Sequence, residues 1–177
     1  MKTLLISLSD IVDVCSKQDK AIKKSLEFFL GRLLDMRDLE DFRAKCSPQN
    51  NLECIKLFLE DKGVYLREKA LLKKFLEYYM GREFDGLIAD CSLLLSKKQL
   101  GRLSSKYEVV LFSSLGKAET DFLLGMLKIQ LPVINADSVQ ECLVKLNRDD
   151  VLFAGTEENR EASKTGAKSA KISDLLL

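Results

Sequence analysis

The sequence predicts an α/β protein: a three-layer, Rossmann-like core with a central parallel sheet and an inserted α-helical cap. Three observations predict it. Leu4-Leu5-Ile6 is a short apolar strand that stops in a polar turn, Ser7 to Asp10, as a buried parallel strand does on reaching the edge of its sheet. Residues 16–83 carry helical periodicity without a strand signal. From Ser96 onward, strands and helices alternate, the pattern of a helix-covered parallel sheet.

The elements follow in order. Ser16 to Asp19 is placed to cap a helix carrying Ile22, Leu26, Phe29, Leu30, Leu33 and Leu34 at helical spacing, and Leu39, Phe42 and Cys46 continue in a shorter one. Ser47 to Asn51 is a break. Ile55 to Leu59 gives the next helix its apolar face, ended by Gly63, and Leu66–Tyr79 is a further helix stopped by Gly81. Residues 84–92 read as a linker back to the core. Ser96 and Gln99 form a capping box for a helix through Ser105. Glu108–Phe112, Leu131–Ile134 and Val151–Ala154 are strands, separated by helices over Ala118–Lys128 and from Ser138 to Leu146. A polar helix is expected over Glu157–Thr165 and an edge strand over Lys168–Ile172. The core is thus expected in residues 1–15 and 84–177, with the cap in 16–83.

Composition excludes several function classes. With 177 residues, 46% hydrophobic and 31% charged, the chain suffices for a packed core without metal or disulfide. A net charge of +1 implies no general attraction to nucleic acid or anionic membrane, and no stretch approaches the roughly 20 apolar residues of a membrane helix. The chain has no histidine, which rules out Ser-His-Asp and Cys-His catalysis and removes the commonest catalytic zinc ligand. Five scattered cysteines, Cys15, Cys46, Cys54, Cys91 and Cys142, make no C-x-x-C pair. They are expected as reduced core thiols in a cytoplasmic protein.

Four stretches carry a family likeness: Ile6-Ser7-Leu8-Ser9-Asp10, Cys46 to Cys54, Val110-Leu111-Phe112-Ser113-Ser114 with Ala118 to Leu123, and Val151 to Glu158. On these the chain resembles the haloacid dehalogenase superfamily, specifically its phosphoglycolate-phosphatase-like members with a helical cap. The resemblance implies a magnesium-assisted phosphatase in which the first strand ends Phe-Asp-x-Asp-Gly. The first Asp of that motif attacks phosphorus and binds the metal, and the second protonates the leaving oxygen. Here those positions match Ser7 and Ser9. A serine hydroxyl is a weak nucleophile without a base and a poor ligand for a hard cation. Residues 131–137 hold no candidate for the family's lysine, and Thr156 stands where an acid is expected after Gly155. Of the family's site, the hydroxyl matched by Ser113 survives.

The residues leave several readings open. Ser7 and Ser9 are strand-end hydroxyls, anion ligands or, least favoured, catalytic groups. Asp10 is a turn residue or an acid displaced by one position, and with Glu157 it is the one candidate pair for magnesium. Ser113 and Ser114 precede a helix whose N–H groups suit an anion, with Lys117 nearby in sequence and Gly155 and Thr156 completing the ligand-binding set. The cap aromatics Phe28, Phe29, Phe58, Phe75, Tyr78 and Tyr79 are expected in its core. The reading that follows is a pseudo-phosphatase without cofactor, binding a small anionic ligand or a protein partner. The alternatives are a divergent phosphatase acting through Asp10, which would require magnesium, and a self-associating structural protein. No nucleic acid or membrane partner is expected, and a homo-oligomer is left open.

Overall fold

The computed structural model describes residues 1–46, 50–147, 150–155 and 168–176. The chain divides into two compact units, Met1–Asp13 with Ser92–Leu177, and Val14–Cys91.

In the first unit, strands β1 (Thr3–Ser7), β2 (Glu108–Ser113), β3 (Val133–Asn135), β4 (Val151–Gly155) and β5 (Lys168–Lys171) form one sheet in the order β3-β2-β1-β4-β5. Every pairing is parallel. The helices among the described residues are α1 (Leu8–Ile11), α6 (Lys97–Lys106), α7 (Lys117–Leu127), α8 (Val139–Leu146) and α9 (Ile172–Leu175). The central strands read as unbroken apolar runs because both of their faces are covered. Leu5, Val110, Phe112, Val151 and Phe153 pack on one face with Val139 and Cys142 of α8. Their alternates Leu4, Ile6, Leu111 and Ala154 are fully buried, on the opposite face by the period of the strand. The expected strand at Leu131–Ile134 is displaced to Val133–Asn135. Pro132 has no N–H to give a ladder, and its carbonyl accepts from Leu111 N at the entrance instead. Ser96 and Gln99 make the full capping box of α6. At α8, Ser138 caps Glu141 N, but the Glu141 carboxylate accepts from Asp137 N one residue early. The helix expected over Glu157–Thr165 lies outside the described residues.

The second unit is helical: α2 (Val14–Leu30), α3 (Met36–Cys46), α4 (Asn51–Asp61), α5 (Glu68–Tyr79) and a 3-10 turn, Leu87–Asp90. Helix α2 packs against α4, α5 and the turn. Ala21, Ile22 and Leu26 give α2 its buried stripe, and the buried Ser25 hydroxyl donates to Ala21 O at 2.8 Å. Asp19 pairs with Arg43 at 2.6 Å and ties α3 to α2.

Several expectations are corrected. The units separate at 13/14 and 91/92, not at 15/16 and 83/84, because α2 begins at Val14 and Ile88 of the 3-10 turn is fully buried on the helical side. On the sheet side, Val12 bridges Leu93, Asp13 N donates to Ser92 O and Leu94 N donates to Ile11 O. These bonds join the departing and returning chain. Gly31, at φ 64°, ends α2, so Leu33 leaves the apolar face and is 87% exposed. Phe28 is also exposed and lies edge-on to Phe29 under the Lys74 ammonium. Cys15 and Cys46 are exposed, at the two ends of helices, while Cys54, Cys91 and Cys142 are buried.

Burial pushes the Cys142 thiol up to about 11 from 9.0 and raises Cys54 as well. A thiolate is the form that alkylates. In the native protein at pH 8, iodoacetamide is expected to label Cys15 and Cys46 rapidly and to reach the three buried thiols only on unfolding, as peptide mapping would show. Because the raised pKa favours the neutral thiol in the folded state, Cys142 lowers stability as pH rises from about 9 to about 11.

Candidate functional site

The parallel register fixes which residues share the carboxyl edge of the sheet. Ser113 pairs with Asn135, Ser7 with Phe112, Ile6 with Ala154, and Gly155 with Lys171. Asn135, Ser113, Ser7 and Gly155 therefore end their strands side by side, where an open α/β sheet places its ligand crevice. Residues far apart in sequence are brought together by topology alone.

At the centre, the Ser7 and Ser9 hydroxyls bond each other at 2.8 Å. Ser7 is half-buried and Ser9 exposed. Ser7 also opens the single turn α1, which contains Ser9 and the half-buried Asp10. A hydroxyl pair of this kind has donors and acceptors but no charge. It lacks the carboxylate needed to hold a hard cation and a base to activate an attacking oxygen.

The next strand end is closed. Ser113 is buried, and its Oγ shares a hydrogen bond of 2.9 Å with Thr120 Oγ1 of α7 and accepts from Leu115 N at 3.2 Å. Asn135 Nδ2 donates to both Thr120 Oγ1 and Leu115 O at 3.0 Å. Ser113 is thereby committed to the joint between β2, α7 and β3. Ser114 beside it is exposed. Lys117 pairs with Asp121 one turn along α7. Ser113→Ala is expected to lower stability by about 1–3 kcal/mol, because Leu115 N–H and Thr120 lose a buried partner; urea unfolding would read this.

Two edge residues had no clear signal in the sequence. Asn135 is the hub of the Ser113 cluster. Lys145, in the last turn of α8, donates to Asn135 O at 2.8 Å and pairs with Glu141 Oε1 at 2.7 Å. A search for a lysine before Ser138 overlooks a side chain reaching back from ten residues further on. The Glu141–Lys145 spacing of four is its one trace in the sequence.

Thr156, Glu157 and Glu158 lie outside the described residues, so their parts in the ligand set and in the Asp10–Glu157 metal pair are not located. Among the described residues, no three Cys, Asp or Glu side chains gather as a metal group. The donors at the centre, Ser7, Ser9 and Asp10, amount to one carboxylate and two neutral hydroxyls. Magnesium is held in near-octahedral geometry through one or two carboxylates with waters and substrate oxygens, so among the described residues Asp10 is the one charged donor this centre would offer it.

No family model matches the sequence, and no curated relative is detected. Solved structures do match. Phosphatase Tt82 from Thermococcus thioreducens superposes with a TM-score of 0.72 at 15% identity, covering 97% of this chain and 91% of that one. A predicted phosphoglycolate phosphatase from Haemophilus somnus 129pt gives 0.69 at 13% identity, over 97% and 84%. A haloacid dehalogenase-like hydrolase from Streptococcus pneumoniae gives 0.65 at 15%, over 99% and 90%. The chain thus has the α/β fold of these proteins, the haloacid dehalogenase-like fold. No described helix is long and apolar enough to cross a membrane.

Proposed function

We propose that this chain keeps the haloacid dehalogenase-like phosphatase fold without its phosphoryl-transfer chemistry, and binds a small anionic ligand at the carboxyl edge of the sheet. One observation carries the proposal. The two positions that the resemblance assigns to catalytic carboxylates are serines, bonded to each other at 2.8 Å at the end of the central strand.

An attack on phosphorus from Ser7 needs a base to take its proton. The partner of Ser7 is another neutral hydroxyl. Phosphoryl transfer also depends on electrostatic stabilisation by metal and lysine. The described centre offers a metal one carboxylate, Asp10, and Lys145 is engaged by Glu141 and a backbone carbonyl. Hydroxyls can still donate to a phosphate or carboxylate oxygen, which is a binding role.

The proposal is tested by thermal shift with inorganic phosphate, sulfate and a panel of phosphate esters. Stabilisation that is lost in the Ser7→Ala, Ser9→Ala double variant, without ester hydrolysis, supports it. Absence of any shift across the panel would remove the anion and leave the fold without an assigned ligand.

The double variant Ser7→Asp, Ser9→Asp is expected to stay inactive. Its carboxylates would stand where the hydroxyls are 2.8 Å apart, and like charges about 3 Å apart do not both ionise. The variant should gain stability as pH falls from 7 to 5, measured by thermal unfolding.

A further inference from the structure

The surface of α5 in the helical unit is unused by the crevice reading. Leu71, Phe75 and Tyr79 are its buried stripe. One step round the helix, Leu72 and Leu76 are 42% and 37% exposed. Lys69 and Lys73 run beside them at the same spacing of four, so the exposed stripe is apolar with a basic border. Arg82 stands in the turn after the helix. These residues and the turn 81–86 enclose a groove of about 960 Å³.

The turn is a stiff wall. Gly81 has φ 72°, and Phe84 is also left-handed at 59°. Asp85 Oδ1 accepts from Arg82 N at 2.8 Å, and Gly86 N donates to Met80 O at 3.1 Å. A Cβ on Gly86 would lie 2.6 Å from Gly81 N and from Tyr79 O. A wall packed this closely keeps the groove open without a ligand, and such preorganisation lowers the cost of docking.

The charge in the groove is unbalanced. Glu77 pairs with Lys74 at 2.8 Å, and Asp85, kept ionised by backbone N–H groups, Arg82 first among them, leaves one carboxylate against the three cations Lys69, Lys73 and Arg82 of the lining. Lys69, Lys73 and Arg82 make no ion pair among the described residues. We propose that this groove docks an acidic amphipathic helix of a protein partner. Its apolar residues would lie on Leu72 and Leu76, with its carboxylates facing Lys69, Lys73 and Arg82. An apolar stripe at spacing four is the surface that an incoming helix reads. A second copy of this chain is a poorer match, because its own groove would bring the same three cations against these.

The test uses the full chain and two labelled 16-residue helical probes. Both carry Leu at i, i+3, i+4 and i+7; one has Glu at the flanking positions and the other Lys. Fluorescence anisotropy at low salt is expected to show the Glu probe binding at least tenfold tighter, with the difference shrinking as salt rises. Lys69→Glu with Lys73→Glu should reverse the preference. Leu72→Ser with Leu76→Ser should weaken both probes about tenfold or more, while Gly125→Ala, inside α7 with nothing within 4 Å of the added methyl, should change neither. All the exchanged groove side chains are exposed, and circular dichroism checks that the variants fold. Equal binding of the probes, no binding by either, or a preference that survives the charge reversal would overturn the proposal. So would sedimentation showing that a second copy closes the groove.

Discussion

Phe153→Ala is expected to destabilise the sheet unit by about 3–5 kcal/mol. Phe153 sits in the middle of β4, 1% exposed, paired in register with Leu5 and packed in the cluster of Val110, Phe112, Val139 and Cys142. Removing the ring loses its transfer free energy and leaves a cavity that neighbours on two strands and a helix cannot collapse to fill. In a chain of this size each kcal/mol moves the melting temperature by about 2–4 °C, so a fall of roughly 10 °C follows. Differential scanning calorimetry would read it. Leu143→Ala, at a partly buried position on the border of the same cluster, is expected to cost less. A fall of under about 1 kcal/mol for Phe153→Ala would mean that this face of the sheet is not packed as described.

Gly86→Ala is the second large effect, and its cause is steric. The added methyl would lie 2.6 Å from two backbone atoms and 2.7 Å from the carbonyl carbon of Met80. No flexible side chain is available to move aside, so the turn itself must open. Overpacking of this kind costs about 1–3 kcal/mol, and here the upper end is expected. The loss should appear in the helical unit, by hydrogen exchange at Tyr79 to Gly86, because Gly86 N donates to Met80 O. Gly125→Ala meets nothing within 4 Å and lies inside α7. It is expected to be neutral or slightly stabilising.

The strands of the sheet were legible because burial on both faces writes them as apolar runs: Leu4 to Ile6, Val109 to Phe112 and Val151 to Ala154. Their common edge was legible too, since parallel strands joined by helices must end together. The helical unit was legible as helices, but its faces were less so. Leu33 keeps helical spacing and yet is exposed, because periodicity cannot show that Gly31 has already ended the helix, and Phe28, inside α2, is exposed although an aromatic in a helical unit is expected in its core. Helix α1 is a single turn, Leu8–Ile11, too short to leave a period. The commitment of Ser113 to Thr120 and Asn135 could not be read at all. It depends on α7 and β3 meeting β2, and a strand-end serine has the same appearance whether its hydroxyl is offered or used.

We propose that the haloacid dehalogenase-like fold here lacks phosphoryl-transfer chemistry. The most direct test is the hydrolysis of a panel of phosphate esters by the purified chain with and without magnesium, beside the Ser7→Ala, Asp10→Ala double variant. Loss of one charged group from such a site typically costs a hundredfold or more, about 3 kcal/mol of barrier, and the groups act as a unit. No magnesium-dependent release of phosphate above the double variant is expected for any ester. Turnover by the parent that requires magnesium and disappears in the double variant would contradict it, and would assign the chemistry to the Ser7–Asp10 turn.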